Sequence, residues 1–167
     1  PSPFERTVGA RMRALRDVTV EVEMLSAAGV AGHGSGVFVA ARGDVLTAAH
    51  VVRDRRQRFR VVLADGSSRE AYVVARDEVH DAALLRASGA PTPFARAIAA
   101  PPGAGAWVVC AGYGGQVDAE HKPMESAGVV VAPSFAWAVT EYAPGGRLPI
   151  PVRTLRFPAM VRTDCAT

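Results

Sequence analysis

The sequence of 167 residues contains no asparagine and only two cysteines. Of its 19 Lys and Arg residues only Lys122 is a lysine, while Ala, Gly, Val and Arg are abundant. We interpret this bias as the codon usage of a GC-rich, bacterial genome rather than as selection for a polyanionic partner. The net charge is only +3. A nucleic-acid partner would need positive charge gathered on one face of the protein, so we do not expect one.

Long hydrophobic runs are also missing. Gly, Arg or Asp residues break every apolar stretch, and none approaches the roughly 20 residues that a membrane span needs. Residues 1–6 lack the apolar core of a signal peptide, which says nothing about any segment upstream. A chain of 167 residues is long enough for one substantial domain or two small ones, and its 49% apolar residues predict a packed core. The compartment stays open between a bacterial cytoplasm and a periplasm.

The two cysteines, Cys110 and Cys165, are too few for a disulfide framework. One bridge between them is compatible with the sequence, but we favour two small, separately buried hydrophobic side chains. Neither has a second Cys or a His at the spacing of metal ligands, so we expect no metal site.

Short apolar runs with the two-residue period of β-strands make up most of the chain. Turn residues separate them, and Asp65-Gly66-Ser67-Ser68 has the composition of a hairpin loop. A helical pattern is confined to residues 11–16. In the first half we predict six strands, at residues 18–24, 37–39, 45–47, 59–64, 71–75 and 82–87. Six short strands with turns between them are typical of a small closed barrel or sandwich.

The second half of the chain follows a connector rich in Pro, Ala and Gly at residues 88–105. Strands are predicted again at residues 107–111, 128–132 and 160–163, with a Pro- and Gly-rich loop at 143–151. Strand patterns on both sides of a connector indicate an all-β protein with two β units.

His50 and Asp81 are the candidate catalytic residues. His50 ends the run Thr47-Ala48-Ala49-His50, where small residues leave room for a tight turn and for a second group beside the imidazole. Asp81 directly precedes the predicted strand at 82–87. A His and an Asp on separate strands of one barrel can meet at its rim, where the Asp accepts the Nδ1 proton and leaves Nε2 as a base.

Three segments resemble the trypsin-like serine proteases, most closely the HtrA/DegP-type and related bacterial branches: GSGV at 34–37, VLTAAHVV at 45–52 and DAALLR at 81–86. The resemblance implies a chymotrypsin-like double β-barrel, with His50 as general base and Asp81 as the acid that orients it. It divides the chain into an N-terminal extension (1–16), a first barrel (17–87), a connector (88–105) and a partial second barrel (106–167). It implies peptide-bond hydrolysis without a cofactor.

The final segment MVRTDCAT, residues 160–167, resembles the family's run Q-T-D-A-x, which precedes the loop G-[DN]-S-G-G. The resemblance implies that the nucleophilic serine follows shortly after Thr167, and that the second barrel is incomplete in this chain. We therefore expect a serine endopeptidase that is inactive as this chain alone. A C-terminal continuation or a second chain would complete the barrel. The small Ala166 and Thr167 near the implied pocket favour apolar or small substrate side chains.

Two alternatives to this interpretation stay open. One is a catalytically inert pseudoprotease that serves as a protein-binding or scaffold module. The other is a processed protease whose activity a regulatory partner controls. A G-x-S-G-G run in the following residues of the gene would favour an enzyme over a scaffold.

Two other residues invite assignment as the nucleophile. Ser35 lies among glycines in GHGSGV, but a nucleophile elbow needs glycine at positions 33 and 37, which are His33 and Val37. Val37 also stands where a dinucleotide-binding loop would need its third glycine. Cys165 lacks the glycine-rich loop that surrounds the nucleophile of chymotrypsin-like cysteine proteases. We reject both residues.

Other polar residues are assigned structural roles. Asp77 is expected to be a turn acceptor, and Asp164 is expected to be structural rather than specificity-determining. His80 is expected at an exposed strand edge. His33 and His121 are expected in loops without a partner motif.

Five arginines lie within residues 53–60, directly after His50. We favour a solvated loop, with the cations placed after the C-terminus of a short helix that bears His50. The alternative is a surface for an anionic partner, which would be an acidic protein, a nucleic acid or lipid headgroups.

Overall fold

The structure is a computed structural model that describes residues 1–54, 57–89, 92–98, 100–114, 122–142 and 151–165, with backbone alone at 135–142 and 151–160. Helix α1 (Pro3–Arg16) is followed by nine strands in this part of the chain. Within these described residues no helix is long and apolar enough to cross a membrane. The strands fall into a six-stranded closed barrel and a three-stranded sheet. This is the all-β arrangement that the sequence predicts.

The first six strands form the closed barrel. Their bounds are β1 (Thr19–Ser26), β2 (Gly29–Ala40), β3 (Asp44–Ala48), β4 (Arg58–Val62), β5 (Ser68–Asp77) and β6 (Ala82–Ala87). All pairs are antiparallel, and pairing of β1 with β4 closes the order β1-β2-β3-β6-β5-β4. The core is filled by alternating inward side chains, which include Phe38, Phe59, Leu85, Val20, Val22, Val45 and Val61. The predicted barrel is therefore confirmed.

Strand β2 is much longer than the predicted strand at 37–39, because it includes the glycine cluster before it. Glycine is disfavoured in strands on propensity alone, but here close packing requires it. A Cβ on Gly34 would lie 2.6 Å from Val51, and one on Gly36 would lie 2.7 Å from Val45. The prediction that His33 lies in a loop is wrong, because His33 belongs to this strand.

Strand β1 is buried on both faces over its first five residues, although its alternating pattern predicts one solvated face. Glu21 and Glu23 on the polar face are only 2% and 5% exposed. Buried carboxylates need partners. Glu23 accepts a 2.5 Å hydrogen bond from Arg60, and His33 Nδ1 lies 3.5 Å from Glu21. These cross-strand contacts make the burial of two acids tolerable.

Helix α1 covers most of what is predicted as an extension, well beyond the predicted helical residues 11–16. A capping box starts it, in which Ser2 Oγ accepts from the Glu5 N–H and the Glu5 carboxylate accepts from the Ser2 N–H. Phe4 contacts Trp107 edge to face, with the ring centroids 5.0 Å apart. The helix therefore packs on the sheet formed by the second half of the chain.

The second half of the chain forms an antiparallel sheet of β7 (Trp107–Gly112), β8 (Met124–Tyr142) and β9 (Pro151–Thr163), in the order β7-β8-β9. β8 and β9 are far longer than predicted, and Pro151, assigned to a loop, begins β9. The rest of that predicted loop, residues 143–150, lies outside the described residues. An open sheet of this kind agrees with a second barrel that is incomplete.

Cys110 on β7 and Cys165 after β9 form a disulfide, with their Cα atoms 6.4 Å apart. The favoured prediction of two separate thiols is therefore wrong. The two cysteines are 55 residues apart in the sequence, so the sequence does not show that they are close. They meet because the first part of β8 pairs with β7 and its later part pairs with β9.

Candidate active site

His50 lies in a turn directly after strand β3. Two backbone hydrogen bonds shape this turn, from the Val51 N–H to the Ala48 carbonyl at 3.1 Å and from the Val52 N–H to the Ala49 carbonyl at 3.2 Å. The expected short helix at His50 is thus a turn. Val51 and Val52 anchor it in the barrel core, being 7% and 0% exposed. The neighbouring imidazole is held at the surface, with its side chain 42% exposed.

Asp81 is positioned by the turn before strand β6. Its backbone is left-handed, with a φ of 51°, a conformation that Asp tolerates better than most residues. Its carbonyl accepts from the Ala49 N–H at 3.1 Å, which joins this turn to the one bearing His50. The carboxylate is nearly buried, with the side chain 9% exposed.

The two side chains meet as the sequence predicts. His50 Nδ1 lies 2.6 Å from Asp81 Oδ2, and the other carboxylate oxygen, Oδ1, accepts from the His50 backbone N–H at 2.8 Å. An ionised carboxylate can only accept hydrogen bonds, so Nδ1 carries the proton in this pair. Nε2 is then the acceptor nitrogen of a half-exposed imidazole. This arrangement is chemically suited to removing a proton from a group bound in front of it.

A cleft of about 380 Å³ lies beside the imidazole. It is lined by residues of β1 to β3, by the His50 turn and by Tyr113 beyond β7. Ser35 also lines it, but its hydroxyl accepts from the Tyr113 N–H at 2.8 Å and donates to the Tyr113 carbonyl at 3.2 Å. These bonds hold Ser35 as a bridge between the barrel and the second sheet, in agreement with its rejection as a nucleophile.

Sequence reasoning missed His33, which lines the same cleft with its side chain 30% exposed. It faces Glu21, a diagonal cross-strand neighbour, because Glu21 pairs with Ser35 and Glu23 pairs with His33. The signal was present in the alternation of β1 and of the glycine cluster. Glycine is disfavoured in strands, so the sequence predicts a loop around His33 and hides this cross-strand contact.

The neighbouring acid Asp77 is a turn acceptor, as predicted. It accepts hydrogen bonds from the backbone N–H groups of Val79 and His80 and lies 2.6 Å from His80 Nδ1. The hydrogen bond with the His80 side chain lowers the pKa of Asp77. His80 is exposed as predicted, but it lies in a turn and not on a strand edge. His121 lies outside the described residues.

The arginines of residues 53–60 do not all belong to a loop. Arg58 and Arg60 lie on strand β4, where Arg58 pairs with the exposed Glu70 and Arg60 pairs with the buried Glu23. The hydrogen bond with Glu23 raises the pKa of Arg60. Residues 55 and 56 lie outside the described part of the chain. Among the described residues, no cluster of three or more His, Cys, Asp or Glu could hold a metal ion.

Comparison with known proteins agrees with this geometry. The family model of the trypsin-like peptidase domain matches residues 34–167, a span that includes both His50 and Asp81. A segment of 54 residues is 56% identical to serine protease HTRA2, mitochondrial, of Bos taurus. That segment is 32% of this chain and only 12% of the length of the relative. Because the family model covers most of the chain, the chain belongs to the trypsin-like peptidase family of serine proteases.

Proposed function

We propose that this chain supplies the general base and its orienting acid to a serine endopeptidase that acts by a Ser-His-Asp triad. The observation that carries the proposal is the double contact of the Asp81 carboxylate with His50, through the imidazole Nδ1 and through the backbone N–H. The first contact sets the tautomer, and the second sets the position of the turn. Together they direct Nε2 outward as a base.

In the proposed reaction a serine hydroxyl attacks the carbonyl carbon of a polypeptide substrate. His50 Nε2 takes the hydroxyl proton during this attack and later donates it to the leaving amine. Asp81 stabilises the imidazolium that exists between the two transfers. Burial of its carboxylate strengthens this interaction, because water competes weakly there.

The nucleophile of the proposed triad is a serine in the polypeptide that follows Thr167. The two other candidate nucleophiles among the described residues, Ser35 and Cys165, are both engaged in other bonds. The Ser35 hydroxyl is engaged with Tyr113 in both directions. The Cys165 sulfur is in a disulfide and is not a thiolate. The similarity of residues 160–167 to the run that precedes the family's serine loop points the same way.

Peptidase activity of the full gene product tests the proposal. We expect His50→Ala to lower kcat/KM by about 10⁴-fold or more, and Asp81→Asn by a similar factor. Asn tolerates the left-handed backbone at position 81, so this variant should fold normally while favouring the wrong tautomer of His50. Asp81→Ala should in addition lose roughly 1 to 2 kcal/mol of stability to backbone strain.

His80→Ala is the matched control, since it removes a histidine with an equally short contact to an aspartate. It should leave kcat/KM within about twofold of the wild type, because a single exposed surface contact is worth little. Equal loss of activity in His50→Ala and His80→Ala would contradict the proposed role of His50. An inactive but folded wild-type gene product would instead support a protein-binding member of the family without a nucleophile.

A further inference from the structure

The chain that leaves strand β9 is attached to both other strands of the second sheet. The disulfide joins Cys165 to Cys110 on β7. Asp164 attaches the same segment to β8, because its Oδ1 accepts from the Val129 N–H at 2.6 Å and its own N–H donates to the Val129 carbonyl at 3.3 Å. The Thr163 hydroxyl accepts from the Cys165 N–H at 3.4 Å.

This attachment is built into the sheet. β8 lies between β7 and β9 in the strand order, so the disulfide joins β7 to the segment that follows β9 across the intervening strand. Gly128 on β8 makes the approach possible. A Cβ at this position would collide with the Asp164 carboxylate and would lie 2.8 Å from the Cys165 nitrogen. The backbone of residues 164–165 therefore lies directly against β8.

Strand β7 is also connected to the cleft beside His50. Tyr113 follows directly after β7, and its N–H and carbonyl are hydrogen-bonded to Ser35 in that cleft. Cys110 lies on β7, three residues before Tyr113. The disulfide thus links the segment after β9, through β7 and Tyr113, to the cleft beside His50.

We propose that the Cys110–Cys165 disulfide is a positioning element, which sets where the chain carrying the nucleophilic serine starts relative to His50. This inference rests on the proposed function. Loss of the disulfide leaves the contacts of Asp164 and the His50–Asp81 pair in place. It removes the covalent link to β7, so the nucleophilic serine samples positions away from His50 Nε2. Misplacement by about 1 Å can cost about 10²-fold in rate.

Reduction of the disulfide provides the perturbation. A dithiol reductant attacks one sulfur, the S–S bond breaks, and a second attack within the mixed disulfide releases both cysteines as thiols. The reductant becomes its own cyclic disulfide, so two electrons and two protons pass to Cys110 and Cys165. The reaction touches no residue of the His50–Asp81 pair.

The test measures the rate at which a fluorophosphonate probe labels the full gene product, with and without dithiothreitol. We expect reduction to slow labelling by about 10- to 100-fold, and kcat for peptide hydrolysis to fall by a similar factor with KM little changed. The double variant Cys110→Ser/Cys165→Ser is the matched control. It should label slowly with or without the reductant, and reoxidation should restore only the wild type.

A further readout separates positioning from folding. Circular dichroism and the pH dependence of kcat/KM should be the same for the oxidised and reduced protein, because the fold and the base stay intact. Labelling that is equally fast after reduction would overturn the positioning role and leave the proposed function standing. Loss of labelling together with global unfolding would also overturn it, since the bond would then be merely structural. A folded, oxidised wild type that does not label at all would overturn both.

Discussion

A single methyl group added at Gly34 should disturb the turn that carries His50. A Cβ there would lie 2.6 Å from Val51 Cγ2 and 3.0 Å from Val51 Cγ1, against about 3.5 to 4.0 Å for a favourable contact. Val51 is buried next to His50, and its β-branched side chain cannot turn aside easily. The alanine therefore has to push the His50 turn away from β2.

We expect Gly34→Ala to lower the free energy of unfolding by about 1 to 3 kcal/mol, the usual cost of overpacking by one carbon. Val51→Ala should cost roughly 1.5 to 3 kcal/mol through the lost methyl groups and the cavity. In the double variant the added methyl group fills the space left by the valine, since a Cβ at residue 34 would lie 3.4 Å from the Cβ of residue 51. The double variant should therefore be more stable than the sum of the single effects predicts, by about 0.5 to 3 kcal/mol.

Urea unfolding followed by circular dichroism measures all three variants. Gly103→Ala is the matched control, because a Cβ there would meet nothing within 4 Å. It should change the free energy of unfolding by no more than about 0.5 kcal/mol. Strictly additive effects of Gly34→Ala and Val51→Ala would refute the close approach of β2 to the His50 turn.

Two further predictions concern ion pairs that hold the fold. Burial raises the pKa of Asp44, but hydrogen bonds from Arg86 and Arg42 outweigh it, so the pKa of this carboxyl lies below its usual value. Asp44 should therefore stabilise the protein above about pH 4 and lose this effect as the pH falls further; unfolding curves of Asp44→Asn should show a weaker pH dependence in that range, and equal slopes would contradict the prediction. The bidentate pair of Arg16 with Glu125, at 2.8 and 2.6 Å, joins α1 to the second sheet. A double-mutant cycle with both residues changed to Gln should give a small favourable coupling energy that falls with added salt, and zero coupling would contradict a contribution of this pair to docking of the helix.

The barrel could be predicted from the sequence because its strands alternate and its turns carry the usual residues. Strand β6 has the predicted bounds, 82–87, and the His50–Asp81 contact follows from two motifs in the predicted relation. The full length of helix α1 can be read from the capping-box spacing of Ser2 and Glu5 and from Phe4, Val8, Met12 and Leu15, which recur at helical spacing; the prediction of residues 11–16 covers only its last turns. Local signals were sufficient for all three features.

The features that could not be predicted depend on contacts between segments that are far apart in the sequence. Glycine disfavours strands, yet Gly34 belongs to β2 because Val51 leaves no room for a side chain. Cys110 and Cys165 meet because of the path of the long strand β8, which no short window of sequence reveals. The burial of Glu21 depends on neighbours supplied by other strands. These features are tertiary, so patterns within single elements cannot report them.

Identification of the residue that a fluorophosphonate probe modifies is the most direct test of a triad built on His50 and Asp81. The full gene product would be labelled, digested and analysed by mass spectrometry, beside its folded His50→Ala variant. The predicted result is a single modified serine in the polypeptide after Thr167, and no modification of that serine in the variant. Modification of Ser35, or equal labelling of the wild type and the His50→Ala variant, would contradict it.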